Sequence, residues 1–139
     1  MYTMLREAEK KNLPFTRADL VDKGRGIVFF PGVEGWFRRI NDYGETLGVQ
    51  VEHYIISSGL REIIEGSSIS GEFKEIYASE FYYDENGVPV WPKLAVNFTA
   101  KTQFVYRINK GVLDVSDDKT LNDSMPDDSK RIPFTNMVY

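Results

Sequence analysis

The most informative property of this 139-residue sequence is what it lacks. It has no cysteine, which excludes a disulfide framework, a thiolate metal site and a cysteine nucleophile. Its single histidine excludes metal sites built on several histidines and makes a histidine-based catalytic triad difficult to assemble. The longest apolar run, residues 27–30, is far shorter than the roughly 20 residues that a membrane-spanning helix needs.

Charge and composition narrow the class of protein further. Lysine and arginine number 17 against 21 aspartates and glutamates, and the resulting net charge of −4 argues against nucleic-acid binding. Residues 1–12 are charged and lack the apolar stretch of a secretory signal peptide. Hydrophobic residues make up 42% of the chain and aromatic residues 14%, which is enough for a hydrophobic core. We therefore expect one small cytoplasmic domain that binds neither nucleic acid nor membranes.

The first third of the chain predicts three helices. Residues 2–12 form the first, and the second begins after Thr16, its N-cap, with Asp19 at the third helical position. Apolar residues then recur at three- and four-residue steps from Val33 to Leu47. This period predicts a helix of about four turns with one apolar face, which we expect to pack on a large surface.

A strand is predicted next, over residues 49–56, and its apolar end is typical of parallel strands that are buried on both faces. Ser57, Ser58 and Gly59 follow as a small polar corner, before a short helix over residues 60–65. The order helix, strand, tight turn and helix is one half of a βαβ unit. The fold class predicted from these elements is therefore α/β.

A β-hairpin is predicted over about residues 80–92, because Asn86 and Gly87 form the strongest short turn signal. Pro89 places the returning strand at a sheet edge, since proline cannot donate a hydrogen bond to a neighbouring strand. Thr99 then caps a predicted helix that extends to about residue 109.

Two further segments complete the chain. Residues 114–131 are rich in aspartate and predict a solvated acidic loop, about as long as a compact domain tolerates. The start of this loop, residues 114–118, lacks the glycine and closing glutamate of an EF-hand, so no calcium site is predicted. Residues 132–139 have strand character.

The first candidate site is the corner at Ser57, Ser58 and Gly59, which lies at the carboxyl end of the predicted strand. Ligands of open α/β sheets bind at the carboxyl ends of strands, and the backbone N–H groups that begin a helix suit phosphate. The simpler interpretation is a strand-to-helix turn with a serine N-cap, which needs no ligand. Local sequence leaves both interpretations open.

The second candidate is Lys101, which lies in the first turn of the helix predicted from Thr99. A cation in this position opposes the helix macrodipole, so a carboxylate or an anionic substrate nearby would explain it. A surface lysine is the simpler interpretation. For His53, with no second histidine in the chain, we expect a partly buried and hydrogen-bonded side chain rather than a metal ligand.

Residues 54–60 and 97–102 together resemble the second and third motifs of the haloacid dehalogenase (HAD) superfamily, near its phosphoserine-phosphatase-like branch. The first segment is a hydrophobic strand that ends in serine, and the second places a lysine at a helix start. The hairpin at Asn86 and Gly87 lies between them, as such a hairpin does in those enzymes. Residues 31–37 are similar to the segment where the same enzymes leave their helical cap.

The resemblance implies a fold and a reaction. Residues 1–30 would be a partial helical cap, and residues 31–139 an incomplete Rossmann-like HAD core with parallel strands. The reaction would be phosphoryl transfer from a small phosphorylated substrate to an aspartate nucleophile, assisted by Mg²⁺.

The resemblance also assigns roles to the candidate residues. Ser57 would donate a hydrogen bond to a phosphoryl oxygen, in a phosphate-binding corner that includes Ser58 and Gly59. Lys101 would neutralise negative charge on the phosphoryl group and on the nucleophile. Both catalytic roles are electrostatic, and such contacts are worth a few kcal/mol each in the transition state.

The chain departs from the family at two points. The family's first motif, Asp-x-Asp, is missing from residues 1–30, and its metal-binding fourth motif would follow Tyr139. We therefore expect an internal fragment that is inactive alone and binds no Mg²⁺ itself. The alternative is a non-catalytic interaction domain that forms a homo-oligomer through exposed sheet edges, with Trp36, Phe37 and Tyr43 at its surface if they are not buried.

Overall fold

The computed structural model describes residues 1–123 and shows a mixed α/β protein. The chain forms two compact units, residues 1–96 and the residues from Asn97 onward. The first unit contains α1 (Tyr2–Lys10), α2 (Arg17–Arg25), α3 (Val33–Thr46), β1 (Tyr54–Leu60), α4 (Arg61–Gly66), β2 (Glu75–Tyr83) and β3 (Pro89–Leu94), and the second contains α5 (Lys101–Lys110) and α6 (Asp118–Asn122). No helix in this described part of the chain is long and apolar enough to cross a membrane.

The three strands of the first unit form one mixed sheet in the order β1-β2-β3. β1 and β2 are parallel and are joined by a connection that contains α4, whereas β2 and β3 are antiparallel. The predicted α/β class is confirmed at this level. β2 is the central strand, and its four consecutive residues Ile76 to Ser79 are buried, so both of its faces are covered.

The strand predicted over residues 49–56 lies further along the chain, so that prediction was wrong in its bounds. A strand is defined by the ladder it makes with its neighbour, and the first pair of this ladder joins Tyr54 to Glu75. The pairing continues past the apolar run and ends where Leu60 lies opposite Ser79. The polar corner is therefore the last part of β1 rather than a turn beyond it.

The predicted hairpin is confirmed between β2 and β3. The N–H of Asp84 donates to the carbonyl of Val88 at 2.9 Å, and the Asp84 carboxylate accepts the N–H groups of Asn86 and Val88 at 2.9 and 2.8 Å. Gly87 has a φ of +75°, a conformation that glycine adopts without steric cost. Its carbonyl accepts the N–H of Arg17 at 2.8 Å, which ties the turn to the start of α2.

Helices α2 and α4 approach each other closely at two glycines. A Cβ atom added to Gly24 would lie 2.0 Å from the carbonyl oxygen of Ile63. A Cβ atom on Gly66 would lie 1.9 Å from the carbonyl oxygen of Val21. Backbone therefore packs directly on backbone, and no larger residue fits at either position without moving a helix.

The start of α2 is the capping box that the sequence predicts. The hydroxyl of Thr16 accepts the N–H of Asp19 at 3.2 Å, and the Asp19 carboxylate accepts the N–H of Thr16 at 2.7 Å. The hydrogen bond from this N–H, followed by the one from the Thr16 hydroxyl, lowers the pKa of Asp19. The helix continues through Gly24 and has Gly26 as its C-cap.

Two arginines that share one carboxylate join α2, α4 and β2. Arg17 of α2 and Arg61 of α4 pair with the two oxygens of Glu65, at 2.5 and 2.8 Å. Arg61 also donates to the carbonyl of Ile76 at 2.7 Å and pairs with Glu75 at 3.4 Å. Every nitrogen of Arg61 therefore has a partner, as a half-buried guanidinium requires.

The predicted amphipathic helix is confirmed as α3, but half of the residues of its apolar period are exposed. Phe37 is buried, with its ring centroid 5.1 Å from the ring of His53 and 5.4 Å from that of Phe73. Trp36 and Tyr43 are 46% and 61% exposed. The expectation that this face packs on a large surface is therefore met by Phe37 alone among these three residues of the helix.

Between Asn97 and residue 123, the second unit contains one predicted helix and one unpredicted helix. α5 ends at Gly111, whose φ of +71° is the left-handed conformation expected of a glycine C-cap. α6 lies within residues 114–131, where the sequence predicted a loop. Its presence follows from Arg107, which is buried, pairs with Asp118 at 2.6 Å and donates to the carbonyl of Asp114 at 2.9 Å. Residues 124–131 of that loop, and the strand predicted over 132–139, lie outside the described residues.

Candidate functional site

Ser57 is the central residue of β1 and forms the last pair of the parallel ladder before its register shifts. It is opposite Ala78 of β2, and the register shifts between Ser57 and Leu60. Its Oγ accepts the N–H of Gly59 at 3.0 Å. This contact uses one lone pair of the hydroxyl and leaves its proton available to donate. The strand therefore presents a hydroxyl donor where its regular pairing ends, three residues before the carboxyl end at which α/β sheets bind ligands.

The backbone of the polar corner is held by a serine that sequence reasoning missed. Ser79 of β2 is buried, and its hydroxyl donates to the carbonyl of Ser58 at 3.3 Å. The same hydroxyl accepts the N–H of Val96 at 2.9 Å. Ser58 and Gly59 are themselves exposed. No pattern in the sequence distinguishes Ser79 from a solvent-facing serine in a hairpin strand.

The simpler interpretation of the corner, a serine N-cap, is wrong. β1 continues through the corner, and the N-cap of α4 is Leu60, which makes no side-chain capping bond. The hydroxyl of Ser57 binds the N–H of Gly59 instead, because the corner closes on itself before the helix begins. The helix itself is short, with six residues.

Lys101 lies in the first turn of α5, as predicted, but it is the first residue of the helix rather than the second, because the cap is different. The N-cap position is Ala100, and Thr99 does not cap the helix. Thr99 donates instead to the side-chain oxygen of Asn97 at 2.7 Å, and that oxygen accepts the N–H of Ala100 at 2.9 Å. Asn97 thus forms the turn that starts the helix, because its amide reaches a backbone N–H more easily than the threonine does.

The side chain of Lys101 is half-buried and makes no ion pair with any residue from 1 to 123. A carboxylate that would hold it in the first turn is thus not found among the described residues. Ser57 belongs to the first unit and Lys101 to the second. Their predicted joint action on one phosphoryl group stays a prediction.

His53, the single histidine of the chain, has the partly buried surroundings that the sequence predicts. Its Nε2 lies 2.8 Å from the side-chain oxygen of Asn41, and its ring contacts Trp36 with centroids 5.4 Å apart. Its partly buried, hydrogen-bonded state is confirmed. In residues 1–123, no group of three histidine, aspartate or glutamate side chains is placed to hold a metal ion.

Two acidic residues after α5 accept hydrogen bonds from backbone N–H groups nearby in the chain. The carboxylate of Asp114 accepts the hydroxyl and the N–H of Ser116 at 2.7 and 2.8 Å, and these bonds lower the pKa of Asp114. Asp117 caps α6 by accepting the N–H of Thr120 at 3.0 Å. These carboxylates therefore act in turns and caps.

Taken together, fold and site define the class only as a mixed α/β protein with a polar corner at the end of a parallel strand. No known family profile matches the chain, and no solved structure does. The chain is 29% identical over 137 residues to a protein of Borreliella burgdorferi (strain ATCC 35210 / DSM 4680 / CIP 102532 / B31), described as an uncharacterized protein. The match covers 86% of this chain and 46% of that protein, so the chain spans about half the length of the curated relative. That description names no reaction and no ligand.

Proposed function

We propose that this chain carries the phosphate-binding serine and lysine of a HAD-like phosphatase that acts on a small phosphorylated substrate, and that it is inactive alone. The observation that carries the proposal is the unit β1–α4–β2, in which Ser57 forms the last pair of the parallel ladder before the register shift that precedes α4. The hairpin of β2 and β3 follows, and then a helix that starts with Lys101. These elements occur in the order that the resemblance implies.

The local chemistry of Ser57 suits a phosphoryl oxygen. Its hydroxyl oxygen already accepts the N–H of Gly59, so its proton is the part left for a ligand. A Cβ atom on Gly59 would lie 3.2 Å from the Ser57 Oγ, which is tighter than ordinary contact. Glycine therefore keeps this hydroxyl uncrowded.

The chemistry of Lys101 suits the charge on the same group. An ammonium is a compact charge with three donors, and it stabilises negative charge that develops during phosphoryl transfer. Because no described carboxylate neutralises Lys101, its charge is available to an anion. The resemblance implies Mg²⁺ only for the complete enzyme. The roles proposed for Ser57 and Lys101 do not depend on it.

Phosphate binding by the isolated chain tests this proposal directly. We expect saturable binding of inorganic phosphate, followed by ³¹P and ¹H–¹⁵N NMR, that weakens at least about tenfold in each of the variants Ser57→Ala and Lys101→Ala. The matched controls Ser70→Ala and Lys119→Ala should bind as the parent chain does. Equal binding by all variants, or no binding by the parent, contradicts the proposal.

Catalysis by the isolated chain is a separate measurement. We expect no Mg²⁺-dependent hydrolysis of an aryl phosphate. If the parent chain hydrolyses the aryl phosphate, the expectation that it is inactive alone is wrong. If Lys101→Ala also abolishes this activity, the role assigned to the lysine is retained.

A second candidate function is self-association, and the exposed face of α3 favours it. Six apolar side chains on α3 or within five residues of its ends are at least 46% exposed: Val28, Phe30, Trp36, Tyr43, Leu47 and Val49. We propose that a second copy of this chain covers this α3 surface. These side chains expose on the order of 700 Å², against roughly 800 Å² per partner in a standard interface. The sheet edges expected to mediate association are β1 and β3 among the described strands.

Sedimentation equilibrium tests the second candidate. We expect a dimer that forms at micromolar concentration and whose dissociation constant rises at least about tenfold in Leu47→Glu. Val90→Glu is the control, because Val90 is 53% exposed in β3, outside the α3 surface. A parent chain that is monomeric at about 100 µM, or an equal effect of both variants, excludes this interface.

A further inference from the structure

An apolar pocket lies at the start of α3, within the α3 surface defined above. It has a volume of about 340 Å³ and is lined by Pro31, Gly32, Val33, Trp36, Phe37 and Arg39. A cavity of about 150 Å³ is enough to hold a benzene molecule, so this pocket has room for one aromatic side chain. The proposed phosphate chemistry does not use the pocket, because its lining contains none of the candidate phosphate ligands.

A tight turn in front of the pocket presents Phe30 to solvent. The N–H of Val33 donates to the carbonyl of Phe30 at 3.2 Å, which closes a four-residue turn. Pro31 fixes its own φ at about −65°, and Gly32 has a φ of +94° and a ψ of −10°, so the turn is of type II. Phe30 is 86% exposed and is not part of the pocket lining. The turn therefore fixes the backbone of an exposed aromatic residue relative to the pocket.

An exposed aromatic side chain and an apolar pocket on one surface make that surface complementary to itself. In a two-fold symmetric pair, both copies use the same surface, so a side chain of each copy can enter the pocket of the other. An aromatic side chain in an apolar pocket is also the kind of contact that supplies most of the binding energy of an interface. Phe30 and the pocket meet both conditions, because they belong to consecutive residues.

We propose that Phe30 of one copy inserts into the pocket of a second copy, against Val33 and Trp36, and that the second copy makes the same contact in return. This inference rests on self-association, the second candidate function, and names the side chain that anchors it. The type II turn holds the backbone of Phe30 in place before association, which reduces the entropy that binding costs. The other exposed side chains of the α3 surface bring the contact area close to that of a standard interface.

The charged residue of the pocket lining, Arg39, also suits an aromatic ring. Arg39 is exposed and makes no ion pair with any residue from 1 to 123. A guanidinium group is attracted to the face of an aromatic ring, and arginine is enriched in interfaces for this reason among others. The pocket therefore offers the ring of Phe30 both apolar walls and a cation.

Sedimentation equilibrium of the parent chain and of Phe30→Ala tests the anchor. Each dimer contains two anchors, and a contact of this kind is worth at least about tenfold in affinity, so we expect Kd to rise at least about a hundredfold. Phe98→Ala is the matched control and should leave Kd unchanged, because Phe98 is 84% exposed and lies in the second unit. Phe30 is exposed in the single copy, so urea unfolding of the monomer should not change.

A second pair of variants tests the cation. Arg39→Gln should raise Kd by about tenfold, since each of the two pockets loses a contact worth about threefold. Arg38→Gln is the matched control, because Arg38 precedes Arg39 but pairs with Asp42 at 3.7 Å and is not part of the pocket lining. Equal effects of the two variants would contradict the contact between Arg39 and the ring.

An isotope-filtered NOE experiment locates the anchor directly. In an equal mixture of ¹³C-labelled and unlabelled chains, we expect cross-peaks between the Val33 methyl groups of the labelled copy and aromatic protons of the unlabelled copy. These cross-peaks should disappear when the unlabelled copy is Phe30→Ala and remain when it is Phe98→Ala.

The outcomes separate this inference from self-association itself. A dimer that Leu47→Glu weakens and Phe30→Ala does not, or a dimer without the Val33 cross-peaks, overturns the anchor and keeps the α3 surface as the interface. A parent chain that is monomeric at about 100 µM overturns both.

Discussion

In two helices of the first unit, the apolar pattern of the sequence does not match the burial. The helix α2 packs tightly on α4, whereas the apolar face of α3 is partly exposed. α2 has no pronounced apolar stripe, yet it packs so closely on α4 that Gly24 and Gly66 cannot carry a side chain. α3 has the clearest apolar period in the chain, yet Trp36 and Tyr43 on that face are largely exposed. An apolar period indicates which face of a helix is favoured to be buried. A close helix–helix contact depends instead on how the two backbones fit together.

The largest effect should come from the glycine contact. In Gly24→Ala the new Cβ atom would lie 2.0 Å from a backbone oxygen, so a helix must move. We expect a loss of about 4 kcal/mol or more in the free energy of unfolding, measured with urea. Gly71→Ala is the control, since nothing lies within 4 Å of the added atom. A loss below about 1 kcal/mol would show that the two helices are not in backbone contact.

The second prediction compares two residues on α3. Phe37 is 7% exposed and packs on the rings of His53 and Phe73, so Phe37→Ala should cost about 3 kcal/mol. Tyr43→Ala should change the free energy of unfolding by less than about 0.5 kcal/mol in the monomer, because its side chain is mostly exposed. If the two variants lose the same free energy of unfolding at dilute concentration, both side chains are buried in the monomer.

The third prediction concerns the capping box that begins α2. Thr16→Ala should cost about 1 kcal/mol, since it leaves a backbone N–H of the first turn unpaired. The pKa of Asp19 is lowered in the folded state, so its contribution is present above the unfolded value and is lost as the pH falls through the folded one. The stability difference between the parent and Asp19→Asn should therefore shrink as the pH falls from 7 through the acidic range in which aspartate gains its proton. A difference that is independent of pH would argue against an ionised Asp19 in the cap.

The smallest effect should have the opposite sign. Gly35 lies inside α3, and a Cβ atom there would meet nothing within 4 Å. Gly35→Ala should therefore stabilise the chain by roughly 0.5 kcal/mol, because alanine loses less backbone entropy in a helix. The same substitution thus has opposite consequences in α2 and α3. A destabilising result would indicate that this face of α3 is already in close contact.

Local patterns were sufficient to predict most of the secondary structure. The capping box at Thr16, the hairpin turn at Gly87 and the helix end at Gly111 each depend on residues close together in sequence, and each is confirmed. The bounds of β1 were not predictable in this way, because the strand begins only where Glu75 supplies a partner. α6 was missed for a related reason, since its position depends on the buried Arg107 in the preceding helix.

The candidate sites show the same division. Ser57 and Lys101 were identified because each lies next to a local signal, the end of an apolar strand and the start of a helix. Ser79 gives no such signal. A serine in a hairpin strand is common, and only the pairing of β1 with β2 brings its buried hydroxyl to the carbonyl of Ser58. Buried polar groups of this kind are visible only after the chain is folded.

The glycine contact also constrains the order in which the protein can assemble. Residues 17–25 leave the ribosome before residues 61–66, so α2 has no docking partner until α4 has been synthesised. α4 has six residues, too few to persist as an isolated helix in water. Each helix therefore depends on a late, long-range encounter, and a nascent chain released before Gly66 would expose the surface of α2 that this encounter normally covers.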